Sequence, residues 1–368
     1  MEIANEPVTK SVLAPEMHVI AFMDQIMHKQ GAENLFVSYV TSMRNRGHRV
    51  DVCCRDASEY HMEALTPLER FCTPRKLLRF INDSDADIVW ITHFKSVWIL
   101  PFINKTAVLH FLEPPRAFNE PWVFKHKSIV QKAIVTIHGH IDRYIVKNYI
   151  RYAIAISAFS AENFYKAYGK FANYVYPGVD PEVFYPENMW ARDNYVLLVG
   201  GRDVTKQVEL AIAAVACIDD KVRPRLKVVS SKRADMQEIA DRLKVTVEWE
   251  TNVETDQLRR LYQRATCTVC TSVAEPFGLT AIESIACGTP VVSVDEGGFR
   301  ETVSDCVGIR VPRHPLPMAR AIAALIVEPK RVELDPMFHL ENCVDLFEDN
   351  LSEIVQNHKR KKTNDNPV

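Results

Sequence analysis

The stretch Glu275-Pro-Phe-Gly278-Leu-Thr-Ala-Ile-Glu283-Ser-Ile-Ala-Cys-Gly288-Thr-Pro290-Val-Val-Ser-Val294 decides the fold of this chain. It reads as a loop, a buried helix, a tight stop and an apolar strand. Pro276 and Gly278 open the helix, and Leu279, Ile282, Ile285 and Ala286 give it an apolar stripe at helical spacing. Gly288 suits the position just past a helix end, and Pro290 follows where a helix cannot continue. Glu275 therefore stands before the helix and Glu283 inside it. Free N–H groups at a helix start attract phosphate, so an acid placed there is expected to contact hydroxyls instead.

Composition bounds what surrounds this stretch. At 368 residues the chain is long enough for two domains. Its 47% hydrophobic and 25% charged residues describe a globular protein, and a net charge of −2 gives no whole-chain attraction to nucleic acid. No apolar run reaches the roughly 20 residues of a membrane-crossing helix. Met1-Glu-Ile-Ala-Asn-Glu-Pro7 lacks the order of a secretion signal, which points to a cytoplasmic protein. Nine cysteines, an odd number, fit a reducing compartment. Cys267 and Cys270 sit in a strand-like run where residues three apart point to opposite faces, so they are expected in the core rather than on a metal.

Upstream, His18–Asp24 and Arg49–Cys54 read as strands flanking a helix that carries Leu35, Phe36, Tyr39, Val40 and Met43, with Gly31 at the intervening turn. Ala86–Thr92 and Thr106–Leu112 continue as parallel strands, the second running into Glu113-Pro-Pro-Arg116, which prolines hold extended. His110 lies on that strand, on the same face as Leu112. Residues 117–150 mix aromatic, basic and apolar types at helical spacing, which suits a surface loop or an acceptor groove. Tyr152–Ser157 is the next strand. Tyr176-Pro-Gly178-Val-Asp180 then forms a turn-rich linker, with a boundary near residues 186–193.

Downstream, Tyr195–Val199 enters the turn Gly200-Gly201-Arg202, with Lys206 close behind and a helix over Val208–Ala216. Two cations beside exposed backbone N–H groups suit a diphosphate. Strands follow at Leu226–Ser230, Val245–Trp249 and Ala265–Ser272. After the opening stretch, Gly297 and Gly298 stand between a strand and a helix, where backbone can approach a ligand. Pro312–Pro317 reads as a break before a helix at Met318–Val327, and a last helix runs from about Val344 to Gln356. Lys359-Arg-Lys-Lys362 is a basic cluster in a polar tail.

The run EPFGLTAIESIACGTPVV resembles the E-x7-E signature of retaining family 4 glycosyltransferases of the GT-B fold. That resemblance implies an α/β protein of two Rossmann-like domains facing each other across a cleft. They are expected at residues 1–187 for the acceptor and 188–327 for the nucleotide sugar. A C-terminal helix and basic tail, 328–368, would return to the first domain. It implies transfer of a hexose, mannose or glucose type, from a nucleotide diphosphate sugar to a glycan, lipid-linked or polysaccharide acceptor. Donor contacts would come from Gly31, Gly201, Arg202, Lys206, Phe277, Gly278, Leu279, Thr280, Glu283, Gly297 and Gly298. Glu283 would hold the ribose diol, which a carboxylate can meet with two hydrogen bonds. Glu275 would fix sugar hydroxyls, and Arg202 and Lys206 would stabilise the departing diphosphate. Acceptor contacts would come from Gly31, Glu113 and Arg116, and His110 reads either as the candidate catalytic imidazole or as an ordinary half-buried strand residue. No cofactor is implied, and the absence of an Asp-x-Asp motif near the donor pocket argues against a metal requirement. The basic tail reads first as a solvated segment; the second reading, a peripheral contact with the cytoplasmic face of an anionic membrane, would suit a lipid-linked acceptor.

Departures from the family pattern are specific: Gln30 replaces the first glycine of Gly-Gly-Ala-Glu, Leu112 stands where a histidine would be, the Arg202-to-Lys206 spacing is one residue short, Gln207 replaces a frequent glycine, and Ser230 occupies a turn that is often glycine. They keep a second reading open, that of a non-catalytic scaffold or sugar-nucleotide-binding partner subunit.

Overall fold

The computed structural model describes residues 16–26, 31–71, 73–92, 94–113, 128–187, 192–201 and 204–365. Contacts divide the chain into two compact units, one of Met1–Ile154, Phe164–Asn173 and Val344–Val368, the other of Ala155–Asn163 and Tyr174–Cys343.

The first unit is built on β1 (His18–Met23), β3 (Arg49–Cys54), β5 (Leu68–Arg70), β6 (Ile88–Thr92), β7 (Ala107–Phe111), β8 (Tyr152–Ala155) and β9 (Asn173–Tyr174), in the order β5-β3-β1-β6-β7-β8-β9. Two short strands, β2 (Gln25–Ile26) and β4 (Asp56–Ala57), pair separately. Registers from β5 to β7 are parallel. Parallel sheets are covered on both faces, which is why β1, β6 and β7 are buried at every residue. Helix Gly31–Asn45 ends at Gly47, whose φ of +94° suits glycine.

The C-terminal helix Leu340–Asp365 completes this unit from Val344 onward, as expected from the sequence, and is longer than predicted. Phe347 inserts among Tyr39, Trp90 and His110, with ring centroids 5.0, 5.1 and 5.0 Å away. Arg46 donates to Glu348 at 3.0 Å and pairs with Asp345 on the same helix.

The second unit carries β10 (Tyr195–Val199), β11 (Arg225–Val229), β12 (Val247–Glu250), β13 (Cys267–Cys270), β14 (Val291–Val294) and β15 (Gly308–Val311), all parallel, in the order β12-β11-β10-β13-β14-β15. Alternation along β10 sends Val196 and Leu198 into one core with Ile212, Val228, Ile285 and Ile322, and Tyr195 and Leu197 into another with Leu261 and Tyr262. Both cysteines of β13 are fully buried, and burial pushes each thiol up to about 12. This agrees with their core reading.

In strand order each unit follows the doubly wound pattern, with the reversal between β1 and β6 in one and β10 and β13 in the other. One expectation is corrected. The prolines near 312–317 do not hold the helix off until Met318: helix Pro315–Val327 starts at Pro315, with His314 as its cap accepting from the Leu316 N–H. First-turn N–H groups have no helical partner, so proline there loses nothing.

Candidate functional site

Open α/β sheets bind ligands beyond the carboxyl ends of their strands, at the point where strand order reverses. In the second unit that point lies after β10 and β13. The chain leaving β10 turns through Gly200, at φ +84°, and Gly201. A methyl group at Gly201 would press on Val228, Val208 and Ser230 at 3.1 to 3.2 Å, so the tight packing of the turn requires glycine. Arg202 lies outside the described residues. A 3-10 turn, Val204–Lys206, then leads to helix Val208–Ala216.

Two bonds knit this turn to the loop after β13: the Thr271 hydroxyl donates to the Lys206 carbonyl at 2.5 Å, and the Val273 N–H to the Thr205 carbonyl at 2.8 Å. They bring Lys206 to Glu275, Nζ to Oε2, at 3.0 Å. Gln207, at φ +49°, sits in the left-handed region, the conformation for which a glycine is the usual choice.

The loop Glu275–Gly278 feeds helix Leu279–Ala286 through Gly278 at φ +105°. Ala281 and Ile282 donate back to the Gly278 carbonyl, so the N–H groups of Leu279 and Thr280 lie outside the helical ladder at its positive end. The Thr280 hydroxyl is 3.9 Å from Cys270 Sγ. Phe277 points inward, stacked on Tyr176 at 5.5 Å and edge-on to Phe338 at 5.9 Å. Gly288, at φ +79°, ends the helix as expected.

Glu283 lies on this helix, half-buried, and accepts a hydrogen bond from the buried Tyr262 hydroxyl at 2.8 Å. Burial raises its carboxyl to about 7, against the opposing pull of the Tyr262 hydrogen bond and the Lys206 charge. One ammonium thus acts on both glutamates.

Backbone packing within the unit itself requires glycine at Gly297 and Gly298. A methyl group at Gly297 would lie 2.6 Å from the Glu275 carbonyl oxygen, and one at Gly298 would lie 2.4 Å from Phe277 Cα. Gly298 also donates to the Glu275 carbonyl at 2.8 Å. The two loops pack backbone on backbone, and this contact aims Glu275. A further brace comes from Ser157 and Ser160, which donate to the Pro276 carbonyl at 2.5 and 3.4 Å. Glu301 accepts from the Ala158 and Phe159 N–H groups at 2.8 and 2.9 Å.

Sequence reasoning missed Tyr262 and Arg313. Arg313 donates to the carbonyls of Thr271 and Ser272 at 2.7 and 2.8 Å and to Glu296 at 2.6 Å, tying the end of β13 to the glycine loop. Nothing in the spacing of either residue signals these contacts, because both partners are distant in the chain.

In the first unit, Gly31 opens helix Gly31–Asn45, and Glu113 is half-buried just past β7. Arg116 lies outside the described residues. His110 is buried within the aromatic core of Tyr39, Trp90 and Phe347, and burial lowers its imidazole to about 3, so it is neutral at physiological pH. Among the described residues, no three His, Cys, Asp or Glu side chains cluster as a metal site. Nor is any helix among them long and apolar enough to cross a membrane.

Two doubly wound units with a Lys–Glu pair at the second switch point define a GT-B-type α/β protein. Residues 185–334, which lie within the second unit, match the family described as glycosyl transferases group 1. The family resemblance read from Glu275–Val294 is upheld at that level. Alpha-maltose-1-phosphate synthase of Mycobacterium tuberculosis (strain CDC 1551 / Oshkosh) is 27% identical over 199 residues, 46% of this chain and 51% of the relative. The chain thus spans about half the length of the curated relatives it matches. Sucrose-phosphate synthase from Thermosynechococcus elongatus shares the fold with a TM-score of 0.72 and 18% identity, over 92% of this chain and 99% of that one. HepE of Anabaena, solved with UDP and glucose, gives a TM-score of 0.70 and 16% identity over 95% and 100%.

Proposed function

We propose that this protein is a glycosyltransferase that takes a hexose from a nucleotide diphosphate sugar and passes it to a glycan or lipid-linked acceptor, with retention at the anomeric carbon. The observation that carries the proposal is the arrangement of Lys206, Glu275 and Glu283 at the β10/β13 switch point. It joins a cation, two carboxylates and a helix start in one place, within the segment that matches the family.

In this mechanism the diphosphate lies against the backbone N–H groups at Gly278, Leu279 and Thr280 and is met by Lys206 and Arg202. Lys206 trades its Glu275 partner for phosphate oxygens when donor binds. Glu275, freed on one oxygen, accepts hydroxyls of the transferred sugar. Glu283, with Tyr262 on Oε2, has Oε1 to offer to the ribose diol. Gly201, Phe277, Gly297 and Gly298 shape the walls, while Gly31, Glu113 and Arg116 serve the acceptor side. His110 is given no chemical step, since a neutral imidazole packed among three aromatic rings is a core residue. The charge on the leaving group is met by side chains and backbone, and no metal is required.

Glucose from a UDP donor is the first choice, supported by the HepE complex, which was solved with UDP and glucose. A thermal-shift series with UDP-glucose, UDP-galactose and GDP-mannose tests it, because a ligand bound only by the folded state raises the melting temperature. The expected result is the largest rise with UDP-glucose and turnover that survives a chelator. Binding without turnover, over a panel of glycan and lipid-linked acceptors, would favour the non-catalytic reading.

A further inference from the structure

Helix Thr255–Arg264 of the second unit turns one face to the core through the buried Leu261 and Tyr262. On its other face Arg259, Arg260, Gln263 and Arg264 line a cavity of about 730 Å³, whose far wall includes Tyr185 and Glu187. At 3.6 residues per turn these four helical positions fall within an arc of about 140°, so the sequence itself gathers them on one side. A cavity of this size suits a small molecule.

Part of the wall is fixed by the fold. Gln263 donates to the Tyr185 carbonyl at 2.6 Å, and Arg259 donates to the Val183 carbonyl at 3.1 Å and to Asp256 at 2.8 Å. The Arg259 guanidinium also lies over the Tyr185 ring, 4.6 Å from its centroid. The other two arginines are exposed and less engaged. Arg264 meets Glu187 only at 3.7 Å, beyond hydrogen-bond reach. Among the described residues, Arg260 has no hydrogen bond or ion pair.

Charge says what this cavity takes. Three arginines against one glutamate leave its lining with a surplus of two positive charges. Arg260 and Arg264 stand four residues apart on the helix, where like charges repel and weaken it. Asp256, four residues before Arg260, is bound by Arg259 and does not relieve them. A phosphate carrying two negative charges matches the surplus and accepts from both forked guanidinium groups. A lone carboxylate matches half of it.

The cavity is apart from the site of Lys206, Glu275 and Glu283. Just ahead of β10, the Asp193 N–H donates to the Arg264 carbonyl at 2.8 Å. This end of the helix therefore lies at the amino ends of the strands, whereas the switch-point site lies beyond their carboxyl ends.

We propose that Arg259, Arg260 and Arg264 form a second anion site, which takes a phosphate or diphosphate group borne on a small molecule. The site does not depend on the transfer activity proposed above and is measured with neither donor nor acceptor present.

Calorimetric titration of the full chain with inorganic diphosphate tests it. The switch-point site is itself proposed to take a diphosphate, so the titrations are made in a Lys206→Ala background. That protein is expected to bind diphosphate and to melt at a higher temperature with it, an effect that sodium chloride at equal ionic strength does not reproduce. Adding Arg260→Ala and Arg264→Ala should weaken the binding about tenfold or more. Without diphosphate the same pair should leave the melting temperature unchanged or slightly raised, since a repulsion is removed. The proposal is overturned if the Lys206→Ala protein binds no diphosphate, or if it binds as well without the two arginines. Wild type and Lys206→Ala titrating alike would count against the donor reading and leave this site standing. Vesicles of phosphatidylcholine with phosphatidic acid identify the source of the phosphate. Flotation that the arginine pair abolishes assigns it to a lipid headgroup, and diphosphate binding without flotation assigns it to a soluble molecule.

Discussion

Glu283 is an acid whose surroundings hold on to its proton. The ordinary side chain ionises near 4.5, and burial moves it to about 7 here. Between those values the folded protein keeps a proton that the unfolded chain has released. Stability through this group is therefore fully present below about 4.5 and falls as pH rises to about 7, by an amount on the order of 3 kcal/mol. Glu283→Gln should remove that part of the pH slope, as seen by comparing urea midpoints of the two proteins on either side of the window. Donor binding runs the other way, because the ionised carboxylate is the better acceptor for a ribose diol. Affinity should strengthen as pH rises through about 7, and Tyr262→Phe, which deletes a hydrogen bond to the charged form, should move that midpoint upward. A titration of donor affinity against pH that is identical in the two proteins would rule out this role for Tyr262. Lys206→Ala should cost transfer about a hundredfold or more, as loss of a single charge-stabilising donor does. Its effect on stability should stay near 1 kcal/mol, since the Lys206–Glu275 pair is partly solvated.

Loops aim these side chains, and the loops are specified by backbone contacts. Gly298→Ala would drive a methyl group to 2.4 Å from Phe277 Cα, which no rotamer change can relieve. It should destabilise the second unit by about 3 kcal/mol and abolish donor binding, measurable by calorimetry. Gln207 presents the reverse case. It occupies a left-handed conformation that costs an L-residue roughly 1 kcal/mol, so Gln207→Gly should be more stable than Gln207→Ala. Much at this scale was legible in the residues themselves. Strand Arg49–Cys54 and helix Val208–Ala216 match their expected limits, since their apolar patterns and end signals are local. What misled was proline at Pro315, where the penalty vanishes because a first-turn N–H has no partner to lose. The glycine pair was recognised as a site of close approach, but what approaches is the Glu275–Phe277 backbone, a contact that no local pattern encodes.

On the scale of the whole chain, the last segment belongs to the first unit. Phe347, Val344 and Leu351 are fully buried from a helix that follows the entire second unit in sequence. Phe347→Ala should cost the first unit about 3 to 5 kcal/mol, because it empties a site walled by Tyr39, Trp90 and His110. A melting experiment should show this loss in the first unit, with donor-induced stabilisation of the second retained. His110 would then sit beside a cavity, and its lowered pKa should rise toward the ordinary value as water enters, a change visible by NMR titration.

Sequence alone determined the class of fold, because hydrophobic runs, glycine stops and the order of strands and helices are properties of consecutive residues. It also determined the candidate donor motif, Glu275 through Glu283, whose two acids and helix start lie within one short segment. Tertiary structure alone decided the surroundings of those acids: which one Lys206 holds, which one burial raises against the Tyr262 hydrogen bond, and which backbone Gly297 and Gly298 must clear. It also turned His110 into a core residue and set Tyr185 and Glu187 across a cavity from Arg260 and Arg264. Each of these depends on burial and on partners distant in the chain, and both exist only once the sheets have assembled.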